Sequence, residues 1–515
     1  MRKKSLDRRQ FLSRTSYVGA ALASPLLRSR NVSAQDLPAD ITSMTASRLS
    51  ESIRSRQISC AAVMQAYLER IHRYNPVYNA VVSMLDQGAL MAQAESADRA
   101  LDNNEYWGWM HGMPHAVKDL ADAKGLESNY GSPIFAGSIA EEDSLHIARI
   151  RAQGAIFIGK TNTPEFGLGS QSYNDVHGVT RNAYDPDLTA GGSSGGAASG
   201  MATHMLPIAD GSDMMGSLRN PAGFNNVIGF RPSKGRVPSL PSSDLYYNRL
   251  STNGPMGRDV EDTIRLLGTM AGYDSRSPLS LRDEIPAYEA FQATDLSGFR
   301  IGWMGDYDGY LAMESGVIDL CERSLEELSA HGVIVENCMP AYDMARLWDT
   351  WLTLRHWSQE ARRPLYDNPE TRALLKPEAI WEIEGSFDLP ASQVAEAAVA
   401  RSEWYKALHS LLEQYDVLAL PTAQVFPFSA EVHWPESING RNMDTYNRWM
   451  EVVLAGTLAG LPVVNLPAGF DDQGRPMGMQ FIGRMGHDQA VLEFAMAYEA
   501  HTDYLAQRPI LSDGA

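Results

Sequence analysis

Apolar residues recur at helical spacing at Val63, Met64, Tyr67, Leu68 and Ile71, and Ser59 stands where an N-cap belongs. A second helix is predicted just upstream, over 46–53. Farther along the rhythm shortens: His115-Ala116-Val117 predicts a short strand delivering Lys118 to its end, and 155–160 predicts an apolar strand closed by Gly159. A turn-rich loop follows over 161–169, and the small, apolar run 197–202 suits a helix packed tightly inside the molecule. Strand and helix signals alternate from 114 to 270 without a linker rich in Pro, Gly or Ser, then continue as strand 300–303, helix 317–328 and strand 333–335. Residues 340–410 read as mainly helical and carry Trp348, Trp351, Trp357, Trp381 and Trp404; strand signals return at 416–421 and 461–469. No internal repeat is visible. The simplest account is one α/β domain with a helical excursion.

At 515 residues and 44% hydrophobic, the chain can bury a large core. Its 63 acidic residues outnumber 44 basic ones, and a net charge of −19 repels phosphate backbones. No local basic patch is visible, so nucleic acid is not an expected partner. Cys60, Cys321 and Cys338 are odd in number and far apart, which offers neither a disulfide framework nor zinc spacing. Buried free thiols are expected instead.

The first residues bear on location. Lys3, Lys4, Arg8 and Arg9 precede a short apolar stretch over 17–27, and Arg8-Arg9-Gln10-Phe11-Leu12 reads as a twin-arginine export motif. Val32-Ser33-Ala34 supplies a small-residue cleavage site. The expectation is a signal peptide over 1–34, cleaved near Ala34, and a periplasmic protein over 35–515. The alternative is a basic tail. The apolar stretch is well short of the ~20 residues that span a bilayer, so stable membrane insertion is not expected.

Three stretches carry candidate chemistry: Gly112-Met113-Pro114-His115-Ala116-Val117-Lys118-Asp119, then Gly191-Gly192-Ser193-Ser194-Gly195-Gly196, then Gly211-Ser212-Asp213-Met214-Met215-Gly216-Ser217-Leu218-Arg219. They supply one lysine and two serines in glycine-rich settings, with no histidine needed. Taken singly they are weak signals, since a lysine at a strand end is usually a surface residue and a Gly-Ser run is usually a loop. As a phosphate loop, the second stretch lacks the lysine of G-x-x-x-x-G-K-[ST]. As a G-x-S-x-G elbow centred on Ser194, it lacks a preceding strand, because 181–190 is turn-like. The twelve histidines contain no H-E-x-x-H, which disfavours metalloprotease chemistry.

Taken together, the three stretches resemble the amidase signature family, and the resemblance runs from about 42 to about 498. It implies a single large domain with a mixed, twisted β-sheet core covered by helices on both faces. A helical N-terminal layer would occupy about 40–105, the catalytic core about 110–270 and the helical excursion about 340–410. The resemblance further implies that Lys118 is a catalytic base, Ser217 the nucleophile, and Ser193, held by a cis peptide after Gly192, the bridge between them. A lysine serves as a base only when neutral; burial among small residues can lower its usual value near 10.4 by several units. Backbone N–H groups of Met214, Met215, Gly216 and Ser217 would form the oxyanion hole. Ser194, Asp213 and Arg219 would support the loop, with an ordinary surface ion pair the alternative for the last two.

Met215 departs from the family pattern, where glycine is usual, and is expected to reshape the acyl side of the pocket. Tyr130, Met215 and Trp351 are the expected substrate-pocket residues, with Met214 and the other tryptophans from Trp348 to Trp404 also suggesting an apolar or aromatic pocket, although the tryptophans could equally pack the helical layer. The expected reaction is hydrolysis of a hydrophobic or aryl amide through an acyl-enzyme, without metal or cofactor. Carbamates and cyclic or linear oligoamides are alternatives within the same chemistry. The amidase subunit of a tRNA-dependent amidotransferase and a non-catalytic binding protein are rivals from other classes. The expected partner is a small-molecule amide, and a homodimer remains open.

Overall fold

Two sheets organise the chain, and each presents one part of the candidate chemistry. This computed structural model describes residues 37–247 and 250–513. The export segment expected over 1–34 lies outside them. The larger sheet has eight strands in the order Ala209–Asp213, Thr252–Gly257, Ile228–Arg231, Val463–Phe470, Pro476–Ile482, Val417–Pro421, Arg300–Trp303, Ile334–Asn337. Its middle is antiparallel: Val463 pairs with Ile482 on one side and with Arg231 on the other. Arg300–Trp303 runs parallel to both of its neighbours, so the sheet is mixed. The inner strands are buried along nearly their whole length, as strands covered on both faces must be.

The smaller sheet has three strands, with Ile156–Thr161 between Val81–Val82 and Pro114–Lys118. Pro114–Lys118 and Ile156–Thr161 are parallel, and the helix Leu145–Ala152 lies in the connection between them, as a parallel pair requires. All five residues of Pro114–Lys118 are buried, which carries Lys118 into the interior rather than to the surface.

The helical N-terminal elements follow the apolar pattern closely. The helix Cys60–Tyr78 buries Val63, Met64, Tyr67, Leu68 and Ile71, and the Ser59 side chain accepts the N–H of Ala62 at 3.0 Å. The preceding helix, Ala46–Arg54, is docked by a buried carboxylate: Asp262 accepts the N–H groups of Ala46 and Ser47, each at 2.7 Å. These two bonds use first-turn donors that a helix cannot satisfy by itself. The helix Gly195–Ala202 is buried at every position. At Gly196 an added Cβ would sit 2.3 Å from the Asn162 backbone nitrogen and 2.5 Å from the Ala80 carbonyl oxygen, so only glycine fits there.

The excursion is built from the helices Met344–Gln359, Pro377–Glu384 and Ala391–Leu412. Trp348, Trp351 and Trp404 are buried in it, and Trp381 is exposed. Cys60 and Cys321 are buried free thiols, while Cys338 is half-buried. Among the described residues no helix is long and apolar enough to cross a membrane.

Candidate active site

Lys118, at the C-terminal end of its strand, is 1% exposed. Its Nζ lies 2.8 Å from Ser193 Oγ, 2.7 Å from Ser194 Oγ and 3.2 Å from the carbonyl oxygen of Ser212. Burial pulls the amine down from its ordinary value to about 7, against the opposing pull of the Asp210 and Asp213 carboxylates. Near neutral pH the ammonium and the free amine therefore coexist.

The partners sort by capacity. The Ser212 oxygen can only accept, and Ser194 Oγ also donates to it at 3.5 Å, so Ser194 has its lone pairs left for Lys118. A neutral amine that donates to those two groups keeps its lone pair for the third direction. There the Ser193 hydroxyl can donate to it.

The peptide bond between Gly192 and Ser193 is cis. Ser170 holds this turn at both ends: its Oγ donates to the Gly192 carbonyl at 2.7 Å and accepts the Gly192 N–H at 3.1 Å. Gly167 backs onto the serine at φ +72°, where an added Cβ would lie 3.3 Å from Ser193 Oγ.

Ser217 follows the edge strand Ala209–Asp213 of the large sheet, just before the helix Arg219–Phe224. The N–H of Ser194 donates to its carbonyl at 3.3 Å, which ties the two serine loops together. Among the described residues its hydroxyl has no hydrogen-bond partner, and Ser217 and Ser193 line one cavity of roughly 720 Å³.

The loop carrying Ser217 is fastened by charge. Arg219 donates Nε to Asp213 Oδ2 and Nη2 to Asp213 Oδ1, both at 3.0 Å. Arg231 donates to the same Oδ1 at 3.0 Å, and also to the Asp213 carbonyl. All three side chains are fully buried, so this is no surface ion pair. The two guanidinium groups hold the Asp213 carboxyl well below the usual carboxylate range, although burial opposes them. Arg219 also reaches Val453 O, Gln480 Oε1 and Thr457 Oγ1 at 2.9, 2.7 and 2.8 Å, which anchors the loop to the sheet centre.

This arrangement narrows the expected oxyanion donors. The Gly216 N–H is already given to Asp213 Oδ1 at 3.0 Å, and the Leu218 N–H goes to Oδ2 at 3.1 Å. Gly216 is therefore not a free donor, because the carboxylate that fastens the loop accepts its N–H. The N–H groups of Met214, Met215 and Ser217 have no partner among the described residues.

Of the three expected pocket residues, Tyr130 lines the cavity; its hydroxyl donates to Asp122 at 2.6 Å. Met215 and Trp351 do not line it. Met215 is buried, and the neighbouring Met214 lines the cavity instead, with Sδ against Arg355 Nη1 at 2.5 Å. The helix Met344–Gln359 meets the cavity only in its last turn, through Arg355, Trp357, Ser358 and Gln359. Trp351 sits one turn earlier and is sealed at 0% exposure, under the Arg355 guanidinium.

Residues that the motifs did not mark complete the site. Phe135, Phe166, Arg355 and Arg362 line the cavity, and so does His146, whose imidazole burial pushes down to about 4 and keeps neutral. Behind Lys118, Asp210 accepts the Lys118 backbone N–H at 3.3 Å and pairs with His115 Nε2 at 3.0 Å. Arg231 likewise went unmarked. A charged residue at the end of an apolar strand, as in Ile228-Gly229-Phe230-Arg231, was the available signal.

The amidase family model matches residues 62–492. An acylamidase from Rhodococcus erythropolis is 28% identical over 470 residues, covering 90% of this chain and 97% of that protein. A glutamyl-tRNA(Gln) amidotransferase subunit from Cyanothece sp. is 31% identical over 487 residues, covering 90% and 99%. Among solved structures, a bacterial aryl acylamidase of the amidase signature enzymes superposes with a TM-score of 0.83 at 28% identity, covering 91% of this chain and 99% of that one.

Proposed function

The chain belongs to the amidase signature family, and on that footing we propose that it hydrolyses carboxylic amides through an ester on Ser217, with Ser193 and Lys118 as its proton relay. The observation that carries this reading is the buried Lys118 amine, drawn down to about 7 and 2.8 Å from the Ser193 hydroxyl, in a cavity that also holds Ser217.

Ser217 Oγ attacks the amide carbonyl carbon while its proton passes to Ser193 Oγ, which gives its own proton to the neutral Lys118 Nζ. The Ser217 hydroxyl turns toward Ser193 as substrate binds; such bonds commonly tighten only in the reacting complex. The negative oxygen of the tetrahedral intermediate is met by the uncommitted N–H groups of Met214, Met215 and Ser217, and one such donor is commonly worth about 3–4 kcal/mol. Collapse breaks the C–N bond as the Lys118 proton returns through Ser193 to the leaving nitrogen. Water then adds to the ester carbonyl and gives a proton to the relay. Its collapse expels Ser217 Oγ, which takes the proton back.

Tyr130, Phe135, Phe166, Trp357 and Met214 give the cavity aromatic and apolar walls, which favour hydrophobic or aryl amides. The acylamidase similarity supports the same class. Carbamates and linear or cyclic oligoamides present the same carbonyl to the same groups and stand as neighbouring substrates. A panel of anilides, aliphatic amides, carbamates and nylon-type oligomers tests the assignment. Turnover of anilides that is lost in Ser217→Ala and Lys118→Ala is the expected result; wild-type rates in either variant refute the mechanism.

The 31% identity to a glutamyl-tRNA(Gln) amidotransferase subunit favours a second reading, in which the same chemistry serves an amidotransferase inside a multi-subunit complex. Co-purification with partner subunits together with glutaminase activity would establish it. Export through the Arg8-Arg9 motif to the periplasm opposes it, and fractionation of cells with peptide mapping around Ala34 decides that point.

A further inference from the structure

The cavity has an aromatic and apolar part beside a hydroxyl-rich one, and the charged groups lining it are mostly cationic: Lys234, Arg355 and Arg362 against Asp244. Arg355 is accounted for. Its Nε donates to the buried Glu382 at 2.7 Å, and Tyr446 shares the same carboxylate oxygen at 2.5 Å. Arg362 is different. It ends the short turn Glu360–Arg362 after the helix Met344–Gln359, and its guanidinium lies over the Phe166 ring at 4.9 Å. Its polar partner is the neutral side-chain oxygen of Gln359. Among the described residues no carboxylate comes within ion-pairing distance of it; Glu382 pairs with Arg355 and Tyr446 through Oε1, and it and Glu165 act on Arg362 only from farther off.

A guanidinium over an aromatic ring, with no carboxylate in direct contact among the described residues, in the same cavity as Ser217 is arranged to receive one from a ligand. The planar fork of donors matches a carboxylate. Building on the amide-hydrolase reading above, we propose that the preferred substrate is an apolar or aryl amide bearing a carboxylate away from the scissile bond, and that Arg362 binds that carboxylate while Phe166 packs beside it. Burial and the neighbouring Arg355 charge pull the Arg362 guanidinium down to about 10, with Glu382 and Glu165 opposing them from beyond ion-pairing distance, so it stays cationic at neutral pH. This narrows the substrate class from hydrophobic amides in general to N-acyl compounds with an acid group on either the acyl or the amine portion.

Two matched pairs test it: glutaryl against pentanoyl 4-nitroanilide for an acid on the acyl side, and 4-acetamidobenzoate against acetanilide for an acid on the amine side. In one pair kcat/KM for the anionic member should exceed that of its neutral match by about tenfold or more, as the loss of a charge-assisted bond implies. Arg362→Gln should collapse that ratio through the KM of the anionic member, and Arg362→Lys should keep part of it. Neutral members preferred in both pairs, or a ratio that Arg362→Gln leaves unchanged, overturns the proposal. Calorimetric binding of glutarate and 4-acetamidobenzoate to Ser217→Ala, with and without Arg362→Gln, reads the subsite without turnover. Binding there that needs Arg362 keeps the subsite even if the amidase chemistry fails, and binding of neither acid removes it.

Discussion

Asp210 sits directly behind Lys118, with one carboxylate oxygen 3.3 Å from the lysine's backbone nitrogen and the same oxygen 3.0 Å from His115 Nε2. The two residues come from different sheets, so this contact joins the strand that delivers the amine to the strand that leads to Ser217. It also sets the amine's proton affinity, because Asp210 is the largest influence opposing the effect of burial. Wild-type kcat/KM should rise with pH through about 7, as Lys118 loses its proton and becomes a base. In Asp210→Asn the carboxylate no longer favours the ammonium, the lysine pKa falls, and the rising limb should move to lower pH. A limb that stays in place or moves upward shows that the titrating group is not Lys118.

The Asp213 cluster makes a separate prediction about stability. Removing one partner from a buried charge cluster leaves the others uncompensated, which typically costs about 3–5 kcal/mol. Arg219→Met strips Asp213 of its two-pronged partner and frees Val453 O, Gln480 Oε1 and Thr457 Oγ1 at once. Urea or thermal unfolding should show a loss of that order together with reduced kcat, because the same carboxylate fixes the Gly216 and Leu218 N–H groups beside Ser217. Unchanged stability contradicts a structural role for this cluster.

Adjacent methionines are predicted to behave differently. Met214 lines the cavity against Arg355, so Met214→Ala should change KM and the ranking of anilide substrates. Met215 is buried away from it, so Met215→Ala should cost about 2–5 kcal/mol of stability with the substrate ranking retained. Steady-state kinetics and unfolding on both variants separate the two outcomes; a reversed pattern would place Met215 in the pocket after all.

What could be read from the chain alone divides along a physical line. Lys118, Ser193, Ser194 and Ser217 were legible as candidates because close approaches of backbone demand glycine around them, as at Gly192 and Gly196, and those demands leave a visible pattern. The helix Cys60–Tyr78 was legible because its buried stripe is local in sequence. The two-sheet division was not, since it depends on pairings such as Val463 with Arg231, more than two hundred residues apart. Arg355 reaches the cavity from the last turn of a helix far downstream and Arg362 from the short turn that follows it, and no local signal separates an arginine there that enters a cavity from one in solvent. Trp351 was misplaced for the same reason, because helical spacing gives a residue's face but not which turn meets the cavity. The Gly216 N–H was lost to Asp213 through a contact three residues away, which composition does not reveal.

In the proposed mechanism Ser217 Oγ, and not a neighbouring hydroxyl, carries the acyl group. Incubation with a fluorophosphonate or a slowly released carbamate, then digestion and mass spectrometry, should place a single adduct on the peptide containing Ser217, with labelling suppressed in Lys118→Ala. An adduct on Ser193 or Ser194, or labelling that proceeds at an undiminished rate without Lys118, would contradict it.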